Sequence, residues 1–483
     1  MTESQKIALG AIKEQEETFL RLSDEIWELA ELSLVEFESA KRYETLLREL
    51  GFSVETGIAG IGTAFLGRYG EGRPVIGILA EFDALSGLSQ KPGETTPSPL
   101  VPGGNGHGCG HNLLGAGALA AAYGVKEYLR QSGKPGTVVL YGTPGEEGGA
   151  AKAFMAREGI WYSLDAALAW HPSDVNEVVP GSCNSCIQAL YQFHGVPAHA
   201  AGDPEDGRSA LDAVELMNVG VQYLREHMKP DARVHYAMVN GGGLSPNVVQ
   251  AEASVLYMIR SEYVRDAVAL TGRVDRIAEG AALMTGTSFE KIFIDGCSNT
   301  VQNKPLMRLA YRSLSEIGAG EYTAAEWKFA EDLQRTYGTP SELPTAAARY
   351  DRAAKAEVEQ KTDGGRRAIN DFLAPYYDGA AFEPGSTDVG DVSWQTPTVQ
   401  IHTVCFPSGA PGHSWQNVSC GKTSLAYKGL LRAAKALALT AVELYESPAI
   451  LAEAKAEWEQ AAMGGYFCPI PEGEEPKVVS ADL

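Results

Sequence analysis

Histidine is scarce in this chain, nine in 483 residues, and basic residues are outnumbered, 40 Lys and Arg against 62 Asp and Glu. The resulting net charge of -22 repels phosphate backbones and anionic lipid headgroups, which counts against nucleic-acid and membrane-surface partners. A bilayer span needs about 20 consecutive apolar residues, and none is present: even the apolar stretch Leu430 to Tyr445 carries Arg432, Lys435 and Glu443. Met1 to Arg21 mixes Lys and Glu without the apolar centre of a signal peptide, so a cytoplasmic location is expected. Cysteine is neither rare nor organised. The seven, scattered from Cys109 to Cys468, are odd in number and follow no framework spacing, which excludes a disulfide scaffold and favours reduced thiols, some of them metal ligands.

What is present has the rhythm of an α/β protein. Phe19, Leu22, Ile26 and Leu29 share one helical stripe, a second helix is predicted from Glu38 to Leu50, and β-rich runs follow at Thr63 to Tyr69 and Val75 to Leu79. A Gly/Pro/Ser loop from Ser86 to Gly110 leads into an Ala- and Gly-rich helix, Asn112 to Arg130, and then to strands Thr137 to Tyr141 and Ala166 to Trp170. In such a sheet the active-site loops leave the carboxyl ends of the strands. Between Ile187 and Cys297 the pattern becomes βαββαβ, which closes as a four-stranded ferredoxin-like unit inserted into the first. The chain then returns to helices, a strand from Thr398 to Val404, a Gly-rich loop from Ser408 to Ser414, a helix from Thr423 to Tyr445 and a polar tail.

The chemistry concentrates in a few short strings. His107-Gly108-Cys109-Gly110-His111 places imidazoles and a thiol within five residues, with glycines that permit the tight turn ligand convergence needs. The bland alternative is a glycine-rich turn with incidental histidines. Gly145-Glu146-Glu147-Gly148-Gly149 follows a predicted strand, where one carboxylate can face a metal and its neighbour a water, although Glu pairs also serve helix dipoles. His171 follows the strand Ala166 to Trp170, and His413 lies in the Gly-rich loop. A lone His is more often structural, but each of these groups falls at a strand-to-loop junction of one sheet.

Together the strings GHGCGHN (Gly106 to Asn112), GEEGG (Gly145 to Gly149), WHP (Trp170 to Pro172), PAHAA (Pro197 to Ala201), SPNVVQAEA (Ser245 to Ala253), STDVGDVSW (Ser386 to Trp394) and HSWQ (His413 to Gln416) resemble the M20 metallopeptidases. The similarity is to the amidohydrolase branch that includes auxin-conjugate and N-acyl amino acid hydrolases, and it spans essentially the whole chain. It implies a mixed-sheet catalytic, metal-binding domain over residues 1–186 and 298–483 and a ferredoxin-like lid and dimerisation domain over 187–297. It further implies two divalent metal ions per chain, Zn or Mn, held by Cys109, His111, Glu147, His171 and His413, with Glu146 as general base to a metal-activated hydroxide. Asp83 matches the acidic residue that orients a ligand, His199, Asn247 and Arg260 match residues that handle the substrate's carbonyl and carboxylate, and His107 matches no ligand position.

The implied reaction is cleavage of the amide bond of N-aroyl or N-acyl amino acids, p-aminobenzoyl-glutamate first, giving p-aminobenzoate and glutamate. A broader acyl-aspartate or acyl-glutamate amidohydrolase, or a dipeptidase, is the alternative. The implied assembly is a homodimer or a heteromer with a homologous A-type subunit. Two departures from the auxin-conjugate branch, Glu81 and Asn112 where Asp is usual, bear on substrate more than on metal. Competing readings are a metal-free cysteine hydrolase built on Cys109 and His111, a redox pair at Cys183 and Cys186, and metals that are only structural.

Overall fold

The computed structural model describes residues 1–478. Its main sheet has seven strands: β1 (Ser53–Thr56), β2 (Phe65–Glu71), β3 (Val75–Ala80), β4 (Gly136–Gly142), β5 (Ala166–Ser173), β6 (Glu177–Val178) and β13 (Thr398–Val404). They lie in the order β1-β2-β4-β3-β5-β13-β6. The four central strands β4, β3, β5 and β13 run parallel, while β1, β2 and β6 pair antiparallel, so the sheet is mixed as expected. Every residue of β3 and β4 is buried, which is why these segments read as unbroken apolar runs instead of alternating ones.

Helices cover both faces of this sheet. The helix His111–Ser132 is buried along most of its length, packed among Glu3–Glu14, Glu16–Leu29 and Ser424–Glu446. Its small residues follow from that crowding: a Cβ at Gly117 would come within 2.7 Å of the Trp170 ring, and one at Gly124 within 2.9 Å of the Ala8 carbonyl. The predicted polar tail after Tyr445 is instead a further helix, Pro448–Ala461, with proline in its first turn. The Trp458 indole donates to the Ser393 carbonyl, and the carbonyl of buried Ala454 accepts from Asn303, contacts that hydropathy alone does not reveal.

Between β6 and β13 along the chain comes a second sheet, with strands β8 (Ser185–His194), β9 (Arg233–Asn240), β10 (Glu252–Ser261) and β11 (Ser288–Cys297). All four are antiparallel and lie in the order β11-β8-β10-β9, the ferredoxin-like order the βαββαβ rhythm predicts. Helices Ala210–Leu224 and Val264–Thr285 cover one face over a core that includes Tyr191, Met217, Val255 and Val274. The short strands β7 (Ser182–Cys183) and β12 (Phe382–Glu383) pair beside the junction. Among the described residues no helix is long and apolar enough to cross a membrane.

Candidate active site

The parallel strands β3, β4, β5 and β13 deliver their carboxyl ends to one side of the main sheet, and the chemistry collects there. Glu81 and Asp83 follow β3, Glu146 and Glu147 follow β4, His171 lies near the end of β5, and His413 lies in the loop after β13. Cys109 and His111 enter from the long loop, where Gly110 caps the helix in the left-handed region with φ of 84°. A side chain at that position would run into Phe406 and Pro172, so the motif requires glycine there for space as well as for torsion. Asn417 donates to the Gly108 carbonyl at 3.1 Å and ties this loop to the segment bearing His413.

Asp83 organises the centre. One carboxylate oxygen accepts from His111 Nδ1 at 2.8 Å, and the other accepts from Ser33 Oγ at 2.8 Å and from the Glu147 backbone N–H at 2.9 Å. Burial pushes the Asp83 carboxyl up, but His111 and these donors outweigh it and bring the group to about 2. His171 Nδ1 donates to the Pro172 carbonyl at 2.7 Å, which leaves its Nε2 lone pair 3.2 Å from Cys109 Sγ. Three overlapping sets of donor atoms result: Cys109, His111 and His171; Cys109, Glu147 and His413; and Glu81, His111 and Glu146, each with its atoms within 4.8 Å of one another. All five residues expected as metal ligands, and the expected base, are therefore brought together.

The donor set fits divalent cations. His111 Nε2, Glu147 Oε1 and Glu81 Oε2 are buried and make no hydrogen bond among the described residues, with His111 Nε2 and Glu81 Oε2 facing each other at 3.3 Å, a convergence of donor atoms that a cation would satisfy. Burial, then Glu81, Glu147 and Asp388, push Glu146 well above the usual carboxylate range. Burial and then Glu147 likewise push the Cys109 thiol up, so without a cation it is a poor nucleophile.

Lys152 is the residue sequence reasoning missed. It sits on the helix Ala151–Arg157 with a fully buried side chain, its Nζ 2.8 Å from Glu81 Oε1 and 2.6 Å from Asp388 Oδ1. Burial disfavours its charge, but Asp388 and Glu81 prevail and hold the ammonium above its ordinary range. A lysine among Ala151, Ala153, Phe154 and Met155 was the available signal.

Beside the donors opens a cavity of about 630 Å3, lined by Cys109, Glu146, Glu147, His171 and His413 on one side and by the uncovered face of the second sheet on the other. That face presents Arg260, which has a buried Nε without a partner among the described residues. His199 and Asn247 are not brought to the cavity: both are exposed, at a bridge between His199 and Val248, and His199 Nδ1 accepts from the Gly202 backbone at 2.9 Å. His107 also stays outside the donor sets, its Nε2 donating to the Ile26 carbonyl at 3.0 Å. The unexpected Asn112 turns away from the cavity, and its amide donates to Ser23 Oγ and the Gly421 carbonyl. Cys183 does not pair with Cys186, whose Sγ instead lies 3.3 Å from Cys297 Sγ.

Known proteins share this arrangement of the chain. It is 43% identical to the B-type subunit of p-aminobenzoyl-glutamate hydrolase from Escherichia coli (strain K12), over 99% of both chains. It is 30% identical to the A-type subunit of the same organism's hydrolase, over 53% of this chain and 59% of that one. Among solved structures, a dinuclear metal-binding M20 peptidase from Bacillus subtilis superposes with a TM-score of 0.53 at 18% identity, over 90% of this chain and 99% of that one. The model of Peptidase family M20/M25/M40 matches residues 78–426, a span that holds every donor around the cavity, and the chain belongs to that family.

Proposed function

We propose that this chain is a metal-dependent amidohydrolase that cleaves the amide bond of N-aroyl or N-acyl amino acids, p-aminobenzoyl-glutamate foremost. The observation that carries the reading is one cavity that holds unsatisfied metal donors, a free carboxylate beside them and an unpaired arginine opposite. The close relative named for that reaction supports the choice of substrate. Cys109, His111, Glu147, His171 and His413 would hold two divalent cations, with thiolate and imidazole suiting Zn and carboxylate tolerating Mn. Bound there, the cations would polarise the scissile carbonyl and lower the pKa of water.

The protein's own groups do the rest. Glu146 takes the proton of the attacking water and returns it to the leaving nitrogen. Asp83 holds the His111 ring by its Nδ1–H so that Nε2 stays presented to the site. Arg260 faces the cavity with its fork of donors free for a substrate carboxylate.

We place residues 187–297 as a lid and dimerisation domain. Strand β9 is an exposed edge carrying Tyr236, Met238 and Val239, a surface that suits pairing with a second chain, either a copy or a homologous A-type subunit. His199 and Asn247 would then complete the partner's site as donors to the carbonyl and carboxylate. Mixing inactive Glu146→Gln and His199→Ala proteins under subunit exchange restores activity if sites are completed in trans, and restores none if each chain works alone.

The test of the function is release of p-aminobenzoate from p-aminobenzoyl-glutamate, run beside acyl-aspartates, acyl-glutamates and dipeptides. Turnover that prefers the aroyl substrate supports the reading. Turnover of dipeptides alone would move it to the alternative, and full activity in the presence of a chelator would exclude it.

A further inference from the structure

The face of the second sheet that roofs the cavity carries two charges, and the proposed reaction uses only one. In the order β11-β8-β10, Arg260 stands opposite Cys186, itself opposite Cys297, and Met258 stands opposite Gln188, itself opposite Asp295. Cross-strand partners share a face, and all six residues line the cavity. Asp295 is 6% exposed, yet among the described residues no hydrogen bond to its carboxylate is present. Its charge has no ion-pair partner either: the buried ammonium of the region, on Lys152, is taken by Glu81 and Asp388. Burial, with Asp388 nearby, raises the Asp295 carboxyl to about 7, as expected of an acceptor held where nothing donates to it.

We infer that Asp295 is a specificity-determining residue, accepting a hydrogen bond from an amine N–H at the far end of the substrate's acyl group while Arg260 holds the carboxylate of the amino acid half. This rests on the amidohydrolase reading and adds to it the chemistry that recognises the acyl group. The spacing favours a distant amine. At the backbone Arg260 and Asp295 stand two strands and one pleat apart, about 10 Å across and roughly 7 Å along the strands, or about 12 Å on the diagonal, a gap that the side chains and two hydrogen bonds shorten for the ligand. A p-aminobenzoyl-amino acid, extended, separates its amine from its α-carboxylate by roughly 9 Å on ordinary bond lengths. A dipeptide's ammonium lies only about 6 Å from its carboxylate and spans less of that distance.

The test compares kcat/KM for p-aminobenzoyl-glutamate, benzoyl-glutamate, which lacks the amine, and leucyl-glutamate, whose amine is near. Wild-type enzyme is expected to favour the first over the second by tenfold or more, because an analogue lacking the N–H leaves the carboxylate without a donor. In Asp295→Leu the ratio is expected to fall to within about twofold, with Asp295→Asn, which keeps one acceptor oxygen, in between. A ratio measured within one protein does not depend on the fraction folded. Calorimetric titration of Glu146→Gln protein, with and without Asp295→Leu, gives the same comparison without turnover. Equal rates on the first two substrates, a ratio unchanged in both Asp295 variants, or a preference for leucyl-glutamate lost with Asp295 would overturn the inference and leave the amidohydrolase reading standing. Preferential binding that depends on Asp295, without hydrolysis of any of the three, would sustain the inference and sink that reading.

Discussion

Replacing Lys152 with methionine removes the ammonium from a buried cluster and keeps most of its volume. The Lys152 ammonium lies 2.8 Å from Glu81 and 2.6 Å from Asp388, and the three side chains are 0%, 4% and 1% exposed. At an effective dielectric of about 20 each contact has a gross attraction of about 6 kcal/mol, most of it offset by the desolvation of all three groups. Breaking such a pair by removing one partner leaves uncompensated buried charge and costs about 3 to 5 kcal/mol. Lys152→Met is therefore expected to lose that much in urea denaturation followed by tryptophan fluorescence, to which Trp161 contributes, since its indole donates to the Lys152 carbonyl at 3.1 Å. Neutralising the partners as well, in Lys152→Met/Glu81→Gln/Asp388→Asn, should recover much of the loss, because the penalty belongs to the orphaned charges. A single-variant loss under about 1 kcal/mol, or a triple variant less stable than the single, would refute this account of the cluster.

The adjacent glutamates have separate roles, so Glu146→Gln should keep its metal and lose nearly all turnover, while Glu147→Gln should lose metal as well; equal metal loss by elemental analysis would refute the division. Asp83→Asn keeps the shape but weakens the hold on His111, and is expected to cost about 10- to 100-fold in metal affinity or activity. Burial raises the Asp391 carboxyl to about 7 despite its donors Ser298 and Tyr466. The folded state thus binds a proton that the unfolded state has released, and stability falls as pH rises from about 4 towards 7 by up to about 1.4 kcal/mol per unit. Asp391→Asn, though less stable overall, should show a flatter profile across that window in urea titrations, and parallel profiles would contradict the assignment.

The parallel core was legible because strands buried on both faces are written as continuous apolar runs, as in Val75–Ala80 and Gly136–Gly142. Glu146, Glu147 and His171 were legible because they sit where such a run ends, and Cys109 and His111 because they crowd one Gly-rich string. Lys152 was not, since its partners Glu81 and Asp388 come from distant segments and only the folded chain sets them around it. Proximity in sequence misleads in the same way. His107 shares a five-residue string with Cys109 and His111, yet its ring turns to the carbonyl of Ile26, and Cys186 finds Cys297 on the adjacent strand instead of Cys183 three residues away. Asp295 gave no signal, because an acidic residue in a strand reads as a solvated face until the second sheet turns that face onto the cavity.

The central claim, that the collected donors make this a metal-dependent amidohydrolase, is tested most directly by metal content and hydrolysis of p-aminobenzoyl-glutamate on one preparation, before chelation, after it, and after readdition of Zn or Mn. The account expects two divalent cations per chain, activity that falls with their removal, and recovery on their return. Undiminished turnover by metal-free protein, or full metal occupancy without turnover of any N-acyl amino acid, would contradict it.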